Sequence, residues 1–176
     1  MAPVLIAAAF VAVTFGFALF AYHKIQKADK AVYAARSALN VHTSFRRETV
    51  KNLASLSAGL AADNGAADAA VARLKTGPEA DCKITALGEL ESVLSSNLSA
   101  FFKTAEEVPA LSGSESFASY KKSIIKAGGK IKTSAAHYNS CARDYNTLIS
   151  VFPAMIVAKM FDYSAADYFN FETSEA

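Results

Sequence analysis

Tryptophan is absent from this 176-residue chain, and proline (4), glycine (8) and cysteine (2) are scarce. With so few breakers and an abundance of Ala, Leu, Lys, Glu and Ser, the composition suits helices. A large excess of one sign of charge is missing too. A formal net charge of +2 gives no basic footprint for nucleic acid. No glycine-rich phosphate loop, nucleophile elbow or HExxH pattern occurs. The three histidines, His23, His42 and His137, have no metal-ligand spacing, so neither a metal nor another cofactor is expected. Carboxylate pairs such as Glu89/Glu91 and Glu106/Glu107 read as solvated helix faces. Together these absences argue against an enzyme. No internal repeat and no low-complexity linker divides the chain.

One absence is local. From Met1 to Tyr22 there is no ionisable side chain. About 20 apolar helical residues at ~1.5 Å each cross a hydrocarbon core of ~30 Å, so the run is long enough to span. A cleavable signal peptide would need a basic start, and Met-Ala-Pro-Val supplies none. Residues 1–23 therefore read as a permanent transmembrane anchor. Ala8, Ala12 and Gly16 form a small-residue stripe on it where another backbone could approach, although Ala is common in membrane helices. Lys24, Lys27 and Lys30 follow on one side of a continuing helix, with Arg36 beyond and only Asp29 opposing. They are placed to contact anionic headgroups, at about 1 kcal/mol each. The positive-inside rule then puts the rest of the chain in the cytoplasm.

Nothing breaks the helical pattern from Lys24 to Ala62, so the anchor is expected to continue into residues 24–151 as one rod. Val32, Leu39, Leu53 and Leu60 repeat every seven residues along it, with Ala35 and Leu56 as companions. The middle of that seam is polar, with His42, Arg46 and Thr49, and either bends away from the core or faces something polar. Asp63-Asn64-Gly65 reads as a turn. A short helix over Ala66–Lys75 and a break at Thr76-Gly77-Pro78 follow. The next helix, to about Glu107, carries Ile84, Leu87, Leu94, Leu98 and Phe101. Ser112-Gly113-Ser114 turns and caps a last long helix to about Ser150, striped by Phe117, Tyr120, Ile124, Ile131, Tyr138, Tyr145 and Ile149. Gly128-Gly129 is its weak point, explained by a close neighbour or a kink.

Three legs of similar length joined by short connections predict an all-α, elongated antiparallel bundle. In that arrangement the first and third legs run parallel, and His42 and Arg46 come level with His137. Phe101-Phe102 and the loop Val108–Leu111 lie beside the membrane. Cys82 and Cys141 come nearly opposite each other, as a disulfide or as two packed thiols. A disulfide would mean an oxidising, periplasmic side, opposing the charge bias. Residues 152–176 hold Phe152, Phe161, Tyr163, Tyr168, Phe169 and Phe171, which a solvated tail would not. This segment folds back on its own bundle or docks on a neighbouring subunit.

Tyr138-Asn139, Arg143-Asp144-Tyr145-Asn146, Phe152-Pro153, Ile156, Ala158, Phe161 and Tyr168-Phe169 resemble, in order, the C-terminal signature of the LemA family of bacterial membrane-anchored helical proteins. Leu39-Asn40-Val41 and Arg46–Leu53 resemble that family's first-helix segment. Departures are Asn40 for an acidic residue, Lys51 where Pro is usual, and Asp162 at a common Gly position. Without that Pro the first helix should be straighter. The resemblance implies a helical bundle in the bacterial inner membrane and supplies no chemistry. Some relatives are associated with magnetosome-membrane biogenesis, which suggests membrane organisation.

Two functions follow as expectations. One is a homo-oligomeric scaffold that gathers or shapes membrane lipid, with His42, Arg46, Phe152, Pro153, Phe161, Tyr163, Tyr168 and Phe169 as interface candidates. The other is a small adaptor whose bundle docks a membrane protein such as a protease or transporter.

Overall fold

The computed structural model describes residues 2–60 and 83–171, with side chains from Ala12 to Gly59 and from Lys83 onward. Every regular element among them is helical. α1 spans Ala2–Leu60, α2 Ile84–Glu106, α3 Pro109–Ser112, α4 Glu115–Ser150 and α5 Ala154–Met160. The expected turn at Asp63–Gly65, the helix at Ala66–Lys75 and Cys82 lie outside the described residues. Two compact units share the helices. One comprises Met1–Arg36 and Tyr138–Asp167, the other Ser37–His137 and Tyr168–Ala176.

The helices bury the stripes that their periodicity marks. Ile84, Leu87, Leu98 and Phe101 on α2 are buried, as are Phe117, Ile124, Ile131, Tyr138 and Tyr145 on α4. On α1, Ala35, Leu39 and Leu53 are buried, and the helix runs unbroken through Lys51. Keeping the backbone N–H that a proline lacks preserves that turn. The start of α4 is capped by Ser114, whose Oγ accepts the Phe117 amide at 3.4 Å. α4 passes through Gly128-Gly129 without a break. A Cβ on Gly128 would come no closer than 4.0 Å to Arg46 Nη2, and one on Gly129 would meet nothing within 4 Å. No tight neighbour accounts for the pair.

Helix direction corrects the expected topology. In the second unit Arg46 reaches Glu91 and Ser95, while Val50, Leu53 and Ala54 share a core with Leu98, Phe101 and Ala105. The numbers rise together, so α1 and α2 run parallel. α4 opposes both: Gly128 lies by Arg46, which is bonded to Ser95, whereas the earlier Phe117 meets Phe101, further along α2, at 6.2 Å. The first unit keeps the same sense: Arg36 lies near enough to Tyr138, and Asp29 to Tyr145, for their charges to act on the two hydroxyls. The short-connection rule holds for α2 and α4. It does not hold between α1 and α2, which are separated by residues 61–83. Arg46 is accordingly level with Gly128 and not with His137. The Phe101-Phe102 stretch and the loop around the fully buried Leu111 pack with the last turns of α1.

Among the described residues no helix is long and apolar enough to cross a membrane. The side chains of residues 1–11, half of the expected anchor, lie outside them.

α5 ends on Asp162, whose φ of 54° is left-handed. The Tyr163 amide returns to the Ala158 carbonyl at 3.0 Å, closing the helix end as a Schellman turn. A side chain is strained there, so Asp162→Gly is expected to raise stability by roughly 1 kcal/mol, read as a higher midpoint in urea unfolding.

Candidate functional site

Two polar constructions stand out, one in each unit. The second unit buries a charged group: Arg46 Nη1 donates to Glu91 Oε2 at 3.0 Å and Nη2 to Ser95 Oγ at 3.0 Å. Arg47 Nε approaches the other Glu91 oxygen at 3.9 Å. The Glu91 side chain is only 2% exposed. Burial pushes its carboxyl above the ordinary value near 4.5, against the pull of Arg46 and then Arg47. Arg46 Nε is buried with no hydrogen-bond partner, and the guanidinium carbon lies 6.0 Å from the centre of the Phe171 ring. A cavity of about 630 Å³ opens beside it between α2 and α4, walled by Leu98, Phe102 and Ile125 and edged by Lys103 and Lys132.

The polar seam of α1 thus faces something polar, as one of its two readings required. Glu91 itself corrects the reading of Glu89/Glu91 as solvated. It sits on the Ile84–Leu87–Leu94–Leu98 stripe at three-four spacing, and that register was the signal for its burial. Glu106 is exposed, and its bond to Lys121 holds its carboxyl below the usual range. Thr49 returns its hydroxyl to the Phe45 carbonyl at 2.8 Å. His42 is half-buried, and His23 and His137 are exposed. Among the described residues no three metal-binding side chains gather.

The first unit clasps the chain beyond α5. Residues 163–171 have no regular structure, so their backbone groups need other partners. Tyr138 donates its hydroxyl to the Asp167 carbonyl at 2.7 Å, and Tyr145 to that of Ser164 at 3.1 Å. Asn146 closes both backbone groups of Ala166, donating to its carbonyl at 2.9 Å and accepting from its amide at 2.8 Å. Burial raises the pKa of both tyrosines above 10.0, so they remain donors at neutral pH. In the second unit Phe169 is buried, and a Cβ on Gly88 would collide with the backbone carbonyl of Asn170. Glycine there is what lets the tail approach α2.

The tail therefore folds back on its own chain. Phe169, an expected interface residue, is core. Tyr163 and Pro153 are half-buried, Tyr168 is partly exposed, and Phe152 and Phe161 face outward. The Phe152–Pro153 peptide bond is cis. Cys141 is half-buried beside the Lys24–Lys27 groove; its expected counterpart, Cys82, is outside the described residues. Ala12 and Gly16 are exposed, and Ala8 is outside the described side chains. Lys24, Lys27 and Lys30 are exposed.

The family model described as the LemA family matches residues 35–176. The chain belongs to the LemA family. Comparison with the curated proteins finds no match. Membership gives the clasp its context: Tyr138, Tyr145 and Asn146 fall in the LemA-like ending, and their side chains bind the backbone of the tail. Asp162, at a common LemA glycine position, occupies the left-handed site.

Asn146→Ala leaves the Ala166 amide and carbonyl unpaired. It is expected to cost about 1–3 kcal/mol and to speed proteolysis within residues 163–171, with Tyr138→Phe milder on both readouts. Arg46→Ala strands the buried Glu91 and should cost about 3–5 kcal/mol, whereas Arg46→Met with Glu91→Leu recovers most of that loss in a urea-unfolding cycle. Because the folded-state pKa of Glu91 lies above 4.5, its contribution to stability is present below that value and lost as pH rises through the raised one. The native chain should therefore lose stability relative to Glu91→Gln as pH climbs from 4.5; an unchanging difference contradicts the assignment.

Proposed function

We propose that this LemA protein is a single-pass protein of the bacterial inner membrane whose helical bundle self-associates into a scaffold that organises or shapes the bilayer. The observation that carries the reading is the start of α1. Val13, Phe15, Phe17, Leu19 and Phe20 are all exposed, spread over more than half of the helix circumference, immediately before Lys24, Lys27 and Lys30. A helix apolar all round has no stable place in water. With Met1 to Ala12 it makes a run of spanning length. The lysines favour a cytoplasmic bundle. No catalytic role forms part of the proposal.

Self-association draws on the second unit, where Val41 and Phe45 stand exposed one turn apart on α1. Apolar pairs of this kind mark contact surfaces more than single exposed residues do. The adaptor reading draws on the cavity between α2 and α4. Its apolar walls and lysine edge suit an acidic amphipathic helix from a membrane partner, and its support would be co-purification of one stoichiometric protein.

The test is the particle mass of full-length protein in mild detergent, with images of the same particles. A large uniform ring, dome or lattice that shrinks in Val41→Ser/Phe45→Ser supports the scaffold. A monomer at high concentration overturns it.

A further inference from the structure

α5 is seven residues long, Ala-Met-Ile-Val-Ala-Lys-Met, and apolar on both faces. Ala154, Val157 and Ala158 are buried against α1 and α4 with Ile25 and Tyr145. The opposite side and its flanking turns present Phe152 (72% exposed), Ile156 (52%), Met160 (73%) and Phe161 (54%). Four large apolar side chains within ten residues form a patch, and Lys159 is the one charged residue of the helix.

What lies beside the patch decides what covers it. The antiparallel run of α1 and α4 within this unit brings the end of α4 to the end of the apolar run of α1. The Phe161 ring meets Tyr22, the last residue of that run, at 4.8 Å between centroids. Lys24 and Lys27 share a groove with Leu148 and Val151. Exposed apolar surface therefore continues from Phe20 across Tyr22 to Phe161 and α5, bordered by lysines. Tyrosines and lysines at such a border are the side chains that settle among lipid headgroups, with rings inward and amines outward.

We propose that α5 and the turns at Val151–Pro153 and Phe161–Asp162 lie in the headgroup region of the bilayer, as a second membrane contact beside the α1 helix. The partner is an anionic phospholipid surface: the apolar side chains reach the acyl boundary, and Lys24, Lys27 and Lys159 meet phosphates. This contact fixes how the first unit stands on the membrane, which a single helix alone would leave free to rotate. The proposal rests on the anchor reading.

The absence of tryptophan makes the test clean. Single-tryptophan variants of the full chain, Phe152→Trp and Met160→Trp, are placed in vesicles of anionic phospholipid with brominated acyl chains. Phe15→Trp reports the anchor. Tyr33→Trp, at a residue 75% exposed and about 16 Å along α1 from Tyr22, reports water. Circular dichroism confirms that each variant folds. The expected result is blue-shifted emission and several-fold stronger quenching at 152 and 160 than at 33, approaching that at 15. Quenching at 15 with 152 and 160 behaving like 33 overturns the proposal and leaves the anchor standing. Blue-shifted but unquenched emission at 152 and 160 also overturns it, and assigns the patch to a second copy. No quenching at any position overturns the anchor reading, and this one with it.

Discussion

The bidentate hold of Asn146 on Ala166 is the contact on which the account of the tail depends. An extended segment has no helix to satisfy its backbone, so residues 163–171 stay down only if side chains supply partners. Asn146 satisfies two backbone groups with one side chain, and Tyr138 and Tyr145 add a carbonyl each. With the backbone paired, burying Phe169 is favourable, since its apolar area leaves water without stranding an amide. The same arrangement explains why the LemA-like ending joins YN and RDYN motifs on a helix to aromatic residues some twenty positions later. The helix residues are the receptacle for the segment that follows.

A second constraint acts in the other unit. A guanidinium buried as deeply as that of Arg46 needs a charged partner, and Glu91 is that partner. The pair fixes which turn of α2 lies against which turn of α1. Ser95 takes a second N–H, but Nε is left without a hydrogen bond, so the construction is not optimised for stability alone. Such a buried ionic pair specifies register more than it adds free energy.

The sequence made the helices legible because their apolar positions keep a strict period. The residues expected in the α2 and α4 stripes are buried or half-buried. Glu91 was misread because its charge was weighed above its place in that period. Helix direction was not legible: the period marks which face of a helix is buried and is blind to which way its neighbour runs. The aromatic tail announced that it packs, and composition could not say against what, because its own α4 and a neighbour's carry the same side chains. Asp162 shows the limit from the other direction. Its left-handed backbone is set by the α5 end, and only the comparison with a glycine position hinted at it.

The most direct test of the account is hydrogen exchange at the Ala166 amide, measured in full-length protein diluted to the monomer in detergent and again at high concentration. The clasp predicts strong protection in both, because Asn146 and Ala166 belong to one chain. Protection that appears only in the concentrated sample would contradict it, and would place the tail on a neighbouring subunit.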